Sequence, residues 1–208
     1  MKKVVFSESF NSPNPKTVVL WSGGVDSTGA LYKILKDYPD EVFAHHIHFK
    51  NIENRWEAEK ESVDKMIPWL RKNVRDFNYS ESTIEIGLEN FGWDVPISMY
   101  IGGLVVRDKF CNKLVLGATS DDLKGETQFR HTMSQLLAVM ATLRQPKNHQ
   151  SFPYMWQLMS NTSKKEIWDS LSDFLKENIW CCRTPKQSNG KWIECEDCIA
   201  CNSLEKIR

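Results

Sequence analysis

The 208-residue chain has no excess of charge of either sign, since Lys and Arg together number 27 and so do Asp and Glu. A balanced chain lacks the long-range field that gathers a polyanion over a whole face, so wholesale electrostatic capture of DNA or RNA is not expected. No apolar run approaches the ~20 residues of a membrane span, and no membrane partner is expected. The opening stretch MKKVVFSESFNSPNP turns polar after three apolar residues, too few for the core of a secretion signal, which makes a cytoplasmic location the default expectation. Internal repeats, low-complexity tracts and linkers are also missing. With 41% hydrophobic content, 1–208 reads as a single domain around one sizeable core.

Two common phosphate-binding patterns are absent as well: the Walker sequence with its lysine after the glycines, and the three-glycine dinucleotide fingerprint. The chain offers a different one. Val18, Val19, Leu20 and Trp21 form a continuously apolar run, as a strand buried on both faces should. Ser22-Gly23-Gly24 breaks it, and beyond Asp26 the apolar residues Ala30, Leu31, Ile34 and Leu35 return at helical spacing. An anion at this turn would meet unpaired N–H groups and the positive end of a helix dipole, and the glycines let the backbone approach it. Ser22, Gly23, Gly24, Asp26 and Ser27 spell Ser-Gly-Gly-x-Asp-Ser, the pyrophosphate loop of the ATP pyrophosphatases, a pattern that chance supplies in roughly a few chains of this length in ten thousand. We read these five residues as nucleotide-binding.

Along the chain, the first helix is expected to end near Tyr38-Pro39-Asp40, followed by a strand over Glu41 to Phe49 and an amphipathic helix over Arg55 to Phe77 that Pro68 should kink or break. A third strand is expected over Ser82 to Leu88, a loop over Asn90 to Asp94, a helix over Ile97 to Phe110 opened by Pro96, and a fourth strand over Lys113 to Ala118. Met133, Leu136, Leu137 and Met140 mark one face of a helix over Thr127 to Leu143, with a loop over Gln145 to Gln150. Ser163-Lys164-Lys165-Glu166 is a capping box for a last helix that turns Ile167, Trp168, Leu171 and Leu175 inward. Strands alternating with helices imply an α/β fold with a mostly parallel, doubly wound sheet. Ligands in such folds bind beyond the carboxyl ends of the strands, which gathers Ser22 to Ser27, the strand end near His48, and Thr119 to Asp122 at one edge. His46 and His48 point to one side of their strand and, with no third ligand near, read as packed rather than metal-binding. The eight tryptophans read as core and rim residues, with Trp93 and Trp156 the pair that would border a purine pocket.

At the other end, Cys195, Cys198 and Cys201 are spaced C-x2-C-x2-C, and Cys181-Cys182 lies upstream across a loop with Pro185 and Gly190. Four thiolates suit a closed tetrahedral Zn²⁺ site that staples a tail with little core of its own. An iron–sulfur cluster is the main competitor, with redox thiols a third possibility. Either of the paired cysteines could close the shell.

Loop and cysteine cluster together, in this order and at opposite ends of the chain, resemble the 7-cyano-7-deazaguanine synthase family. The family's zinc motif, Trp-Ser-Cys followed by Cys-x2-Cys-x2-Cys, falls on Trp180, Cys181, Cys182, Cys195, Cys198 and Cys201, which makes Cys182 the matched ligand and puts Cys181 where the family has Ser. Its Gly-x4-Asp-x2-Gly-x4-Arg matches Gly117, Asp122, Gly125 and Arg130, and its Thr-Lys-x-Glu-Ile is similar to Ser163 to Ile167. The segment His46 to Glu59 is similar in placement to the family's second strand and following helix. Two substrate-region motifs are replaced, by Glu126-Thr127-Gln128-Phe129 and by Pro96-Ile97-Ser98-Met99.

The resemblance implies an adenine nucleotide α-hydrolase-like core over 17–177 and a zinc-binding element over 178–208. It implies ATP-dependent conversion of 7-carboxy-7-deazaguanine, with ammonia as nitrogen donor, to the amide and then the nitrile. It also implies ATP, Mg²⁺ and Zn²⁺ as cofactors, a homodimer, and no direct nucleic-acid substrate. Asp26 and Asp122 are the candidate Mg²⁺ ligands, Lys164 the cation near the leaving pyrophosphate, and Arg130 a partner for carboxylate or phosphate. Another pyrophosphate-loop enzyme acting on an acceptor such as a tRNA base, and a nucleotide- or nucleic-acid-binding module, are the alternatives.

Overall fold

A computed structural model describes residues 15–85, 94–142 and 154–208. The strands β1 (Lys16–Leu20), β2 (Glu41–Lys50), β3 (Asn78–Glu85), β4 (Lys113–Val115) and β5 (Tyr154–Trp156) pair in parallel, in the order β3-β2-β1-β4-β5. The chain moves outward from β1 in one direction and then returns to its other side, so the strand order reverses beside β1. A crevice at the carboxyl ends of the strands is expected at such a reversal.

Successive residues of β1 face opposite sides of the sheet. Val19 joins a core with residues of α1 (Val25–Asp37), α2 (Trp56–Asn73), α5 (Lys164–Ser170) and α6 (Asp173–Asn178), while Val18 joins a second core with α3 (Val95–Asp108) and α4 (Gly125–Thr142). The sheet is therefore covered on both faces, as a doubly wound fold requires. The tail adds an antiparallel hairpin, β6 (Lys186–Ser188) with β7 (Lys191–Ile193), and a final helix α7 (Ile199–Glu205). Among the described residues no helix is long and apolar enough to cross a membrane.

Several boundaries differ from expectation. Helix α2 runs unbroken through Pro68. Strand β3 begins at Asn78 rather than at residue 82, because its pairing with β2 already starts at Phe43 and runs on to Lys50. Strand β4 stops at Val115, and β5 pairs with it although three residues carry too little periodicity to announce a strand. The last predicted helix is two, since the chain turns extended at Leu171 and Ser172 caps a new helix by accepting from the Leu175 N–H. The loop around 145–150, the lead-in before residue 15, and Trp93 lie outside the described residues.

Helix α4 also presents a different face from the one its apolar stripe suggests. Ser134, Ala138 and Ala141 are buried, while Phe129, Met133, Leu136 and Met140 are exposed. The cause is small residues: a Cβ on Gly103 of α3 would lie 2.3 Å from the Ala138 carbonyl oxygen, so the two helices meet backbone to backbone and the large side chains turn away. A similar contact joins α1 to α5, where a Cβ on Gly29 would lie 2.3 Å from Cγ2 of Ile167.

Candidate active site

Beyond β1 the chain turns through Gly23, whose φ of +85° is a conformation that L side chains rarely adopt. The loop is held from inside: Ser27 Oγ accepts from the Ser22 N–H at 3.1 Å and shares a 2.9 Å hydrogen bond with Ser22 Oγ. Gly24 caps α1 without any side-chain hydrogen bond, so no side-chain cap claims its first-turn N–H groups, although that of Val25 meets the Cys181 sulfur. The tail is stitched to this loop, because the Trp180 N–H donates to the Gly23 carbonyl at 3.1 Å. A cavity of about 400 Å³ opens here, walled by the loop, the end of β2, the start of α3 and the tail.

Three predicted residues meet in it. Lys164 Nζ lies 3.0 Å from Asp26 and 3.1 Å from Asp122, which brings together residues from α1, the segment after β4 and the first turn of α5. Asp122 is fixed by the Thr119 hydroxyl at 2.7 Å and the Thr119 N–H at 3.1 Å. Asp26 is pushed up to about 6, chiefly by burial and against the pull of Lys164, with Asp122 adding repulsion. Burial also works against charge on Asp122, yet Lys164 and the Thr119 hydrogen bonds hold it below the usual carboxylate range. Burial disfavours the Lys164 ammonium too, and the two carboxylates more than reverse this. Two carboxylates and one ammonium leave a local negative surplus beside a loop suited to phosphate.

Other predicted residues do not arrive. His48 faces away from the cavity: buried, it meets Glu81 at 3.2 Å and packs edge-on to His46 and Trp56. Alternation along β2 instead turns His45, Ile47 and Phe49 to the cavity. His45 shares hydrogen bonds with Ser80 at 2.9 Å and Ser82 at 3.0 Å, and burial, with Lys109 nearby, lowers it to about 4. Arg130 is exposed on α4, where it bonds Glu126 one turn earlier in the same helix. Trp156 is buried under the sheet, edge-on to Tyr38 at 4.7 Å, and does not line the cavity. Of the two altered motifs, Ser98 and Met99 line the cavity, whereas Glu126 and Phe129 are exposed on α4.

A second charged group in the wall was not anticipated. Arg55 contacts Glu53 at 2.9 Å, Glu59 at 3.2 Å and Asp94, while Arg183 from the tail reaches Glu53 at 3.1 Å and Asp94 at 3.5 Å. Glu59 is buried and raised to about 7, by burial first and by Asp94 and Glu53 after it, against the pull of Arg55. The four-residue spacing of Arg55 and Glu59 is the only trace of this group in the sequence.

In the tail, the Sγ atoms of Cys182, Cys195, Cys198 and Cys201 all lie within 4.8 Å of one another, an arrangement that could hold a metal ion. Backbone N–H groups point at these sulfurs: Cys195 to Cys182 at 3.2 Å, Cys198 to Cys195 at 3.3 Å, and Cys201 and Arg183 to Cys198, each at 3.4 Å. Such donors stabilise thiolates. Cys181 stands apart from the group, its sulfur turned to the loop at Gly24, where the Val25 N–H donates to it.

No family model matches the chain. Two curated relatives are both 7-cyano-7-deazaguanine synthases of Clostridium botulinum. That of strain Loch Maree / Type A3 is 24% identical, and that of strain ATCC 19397 / Type A 23%, each over 92% of this chain and 93% of the relative. Among solved structures, the U34-tRNA thiolase NcsA from Methanococcus maripaludis, with its 4Fe-4S cluster, superposes with a TM-score of 0.53 at 16% identity. The match covers 93% of this chain and 64% of the thiolase, so this chain spans less than two thirds of that protein, and the likeness is one of fold. The chain is thus similar to the 7-cyano-7-deazaguanine synthases over 92% of its length, on a fold that it shares with a U34-tRNA thiolase.

Proposed function

We propose that the protein is an ATP-dependent ligase that adenylates the carboxylate of 7-carboxy-7-deazaguanine and converts it with ammonia to the amide and then to 7-cyano-7-deazaguanine. The observation that carries this reading is the junction of Lys164, Asp26 and Asp122 beside the Ser-Gly-Gly-x-Asp-Ser loop, in a chain similar to these synthases along nearly its whole length.

A carboxylate is a poor electrophile. Its oxygen attacks the α-phosphorus of ATP and pyrophosphate leaves, which converts the carbonyl into one with a good leaving group. The loop N–H groups and Lys164 take up the charge that grows on the departing pyrophosphate. Asp26 and Asp122 have the hard oxygens that would hold Mg²⁺, which supplies further neutralisation of the phosphates when bound. Ammonia then displaces AMP to give the amide, and a second activation removes the amide oxygen to leave the nitrile.

The donor set in the tail fits Zn²⁺. Tetrahedral bonds of about 2.3 Å put thiolates about 3.8 Å apart, and Cys195 Sγ lies 3.9 Å from Cys201 Sγ. A cubane cluster carries each thiolate on a separate iron and spreads the sulfurs wider, so a single ion suits this group better. Zn²⁺ there would staple the tail that walls the cavity. For self-association, the homodimer implied by the resemblance, α4 offers Phe129, Met133, Leu136 and Met140 as an apolar face.

The test incubates metal-assayed protein with ATP, Mg²⁺, ammonium and 7-carboxy-7-deazaguanine, and follows AMP release and deazapurine mass together. One zinc per chain and AMP coupled to the amide and nitrile masses are expected. AMP release that needs tRNA instead would replace this reading with transfer to a tRNA base. ATP binding without either product would overturn it.

A further inference from the structure

The group around Arg55 carries more carboxylates than a self-contained ion network needs. Two guanidiniums, Arg55 and Arg183, serve three carboxylates, Glu53, Glu59 and Asp94. Glu59 is only 5% exposed, and it nevertheless lines the cavity together with Asp94, Arg55 and Arg183. Burying a carboxylate without a full counter-charge is costly, and the cost is relieved by a ligand that presents hydrogen-bond donors to it.

The group is also close to the loop. A Cβ on Gly23 would lie 3.1 Å from Val63 Cγ2 and 3.7 Å from the Glu59 carbonyl oxygen, so the phosphate-binding turn rests directly on the turn of α2 that bears Glu59. A molecule whose carboxylate reaches the α-phosphate at the loop would have its ring within the same cavity.

We propose that Glu59 and Asp94 form the specificity site for a guanine-type ring, accepting hydrogen bonds from its ring N1–H and exocyclic 2-amino group. This rests on the reading given under Proposed function and names the groups that would select the base. A carboxylate receives two parallel N–H donors as it receives an arginine fork. The pyrimidine edge of a guanine-type ring offers such a pair, whereas that of adenine alternates donor and acceptor. The site therefore selects the acceptor base and leaves the adenine of ATP to bind elsewhere. Arg55 and Arg183 hold the carboxylates in place. Because Arg183 follows Cys182, the metal-binding tail helps to set this geometry.

The test is calorimetric binding of 7-carboxy-7-deazaguanine and of its analogue lacking the 2-amino group to the full-length wild-type protein, Glu59→Gln and Asp94→Asn, with MgATP titrated separately. The wild type is expected to prefer the 2-amino compound by about 10- to 100-fold. Each variant should reduce that preference below about threefold, with MgATP affinity within about twofold of wild type. Equal wild-type affinity for the two bases would overturn the inference, and this arm decides even if one variant fails to fold. Preference retained in both variants would make the network purely structural, and weaker MgATP binding with preference intact would assign the group to the nucleotide. A wild type that binds MgATP and neither base would overturn the proposed function itself, and the subsite with it.

Discussion

At the amino end of the strands, Lys113 meets Asp40 at 2.8 Å, one cation for one carboxylate, with the Thr17 hydroxyl also donating to Asp40 and Arg75 bonding the Asp40 carbonyl at 3.0 Å. At the carboxyl end, Lys164 is divided between Asp26 and Asp122. Both lysines bridge segments far apart in sequence, but among the described residues the first meets one carboxylate and the second meets two. The difference shows where to look for a ligand: a balanced buried pair completes itself, while a surplus of carboxylates at the mouth of a cavity leaves charge for a ligand to answer.

The largest effect should come from breaking the balanced pair. Lys113→Met leaves Asp40 buried without its cation and should cost about 3–5 kcal/mol in urea unfolding. AMP release per folded molecule should stay within about twofold, since the substitution lies at the far end of the sheet. Next, Lys164→Met should lower AMP formation by about 10²- to 10³-fold with a much smaller change in unfolding free energy, the reverse of the first result.

A pH series sharpens the contrast. The folded state keeps a proton on Asp26 up to about pH 6, whereas the unfolded chain releases it near 3.8, so stability falls as pH rises across that window. Glu59 acts in the same sense between 4.5 and about 7. Asp26→Asn should therefore unfold at a higher temperature than the wild type above pH 6, by a gain of about 1–2 kcal/mol, and at a similar temperature at pH 4, while AMP formation is lost. The smallest effect belongs to Arg130→Ala. Its side chain is exposed on Glu126, so stability should change by less than about 0.5 kcal/mol and AMP formation by less than about twofold. A large loss of activity there would bring α4 back into the site.

What the sequence made legible was whatever is local. The loop's turn and the C-x2-C spacings are encoded within a few residues, and Lys164 lies in a capping box that the structure reproduces, with the Ser163 hydroxyl accepting from the Glu166 N–H. Parity along a strand was harder. Which of His45 and His48 faces the crevice depends on the side from which the helices cover β2, and no single strand contains that information. Arg55, Glu59, Asp94 and Arg183 escaped for a related reason, since three separate segments meet only after the tail folds back onto the loop. The stripe on α4 misled because burial there is set by how closely Gly103 lets the backbones approach, not by which side chains are most apolar.

Asp26 lies one helical turn before Gly29, and Lys164 one turn before Ile167, with Ile167 Cγ2 occupying the place of the missing Gly29 side chain. The spacing of the Asp26–Lys164 pair is thus gauged by an absent methyl group. Helix α1 carries the helix-weakening residue in its interior, and what it gains is a calibrated gap between two helices. Restoring a methyl at Gly29 would work as a shim, widening the jaws from within and moving a cation relative to an anion without touching either.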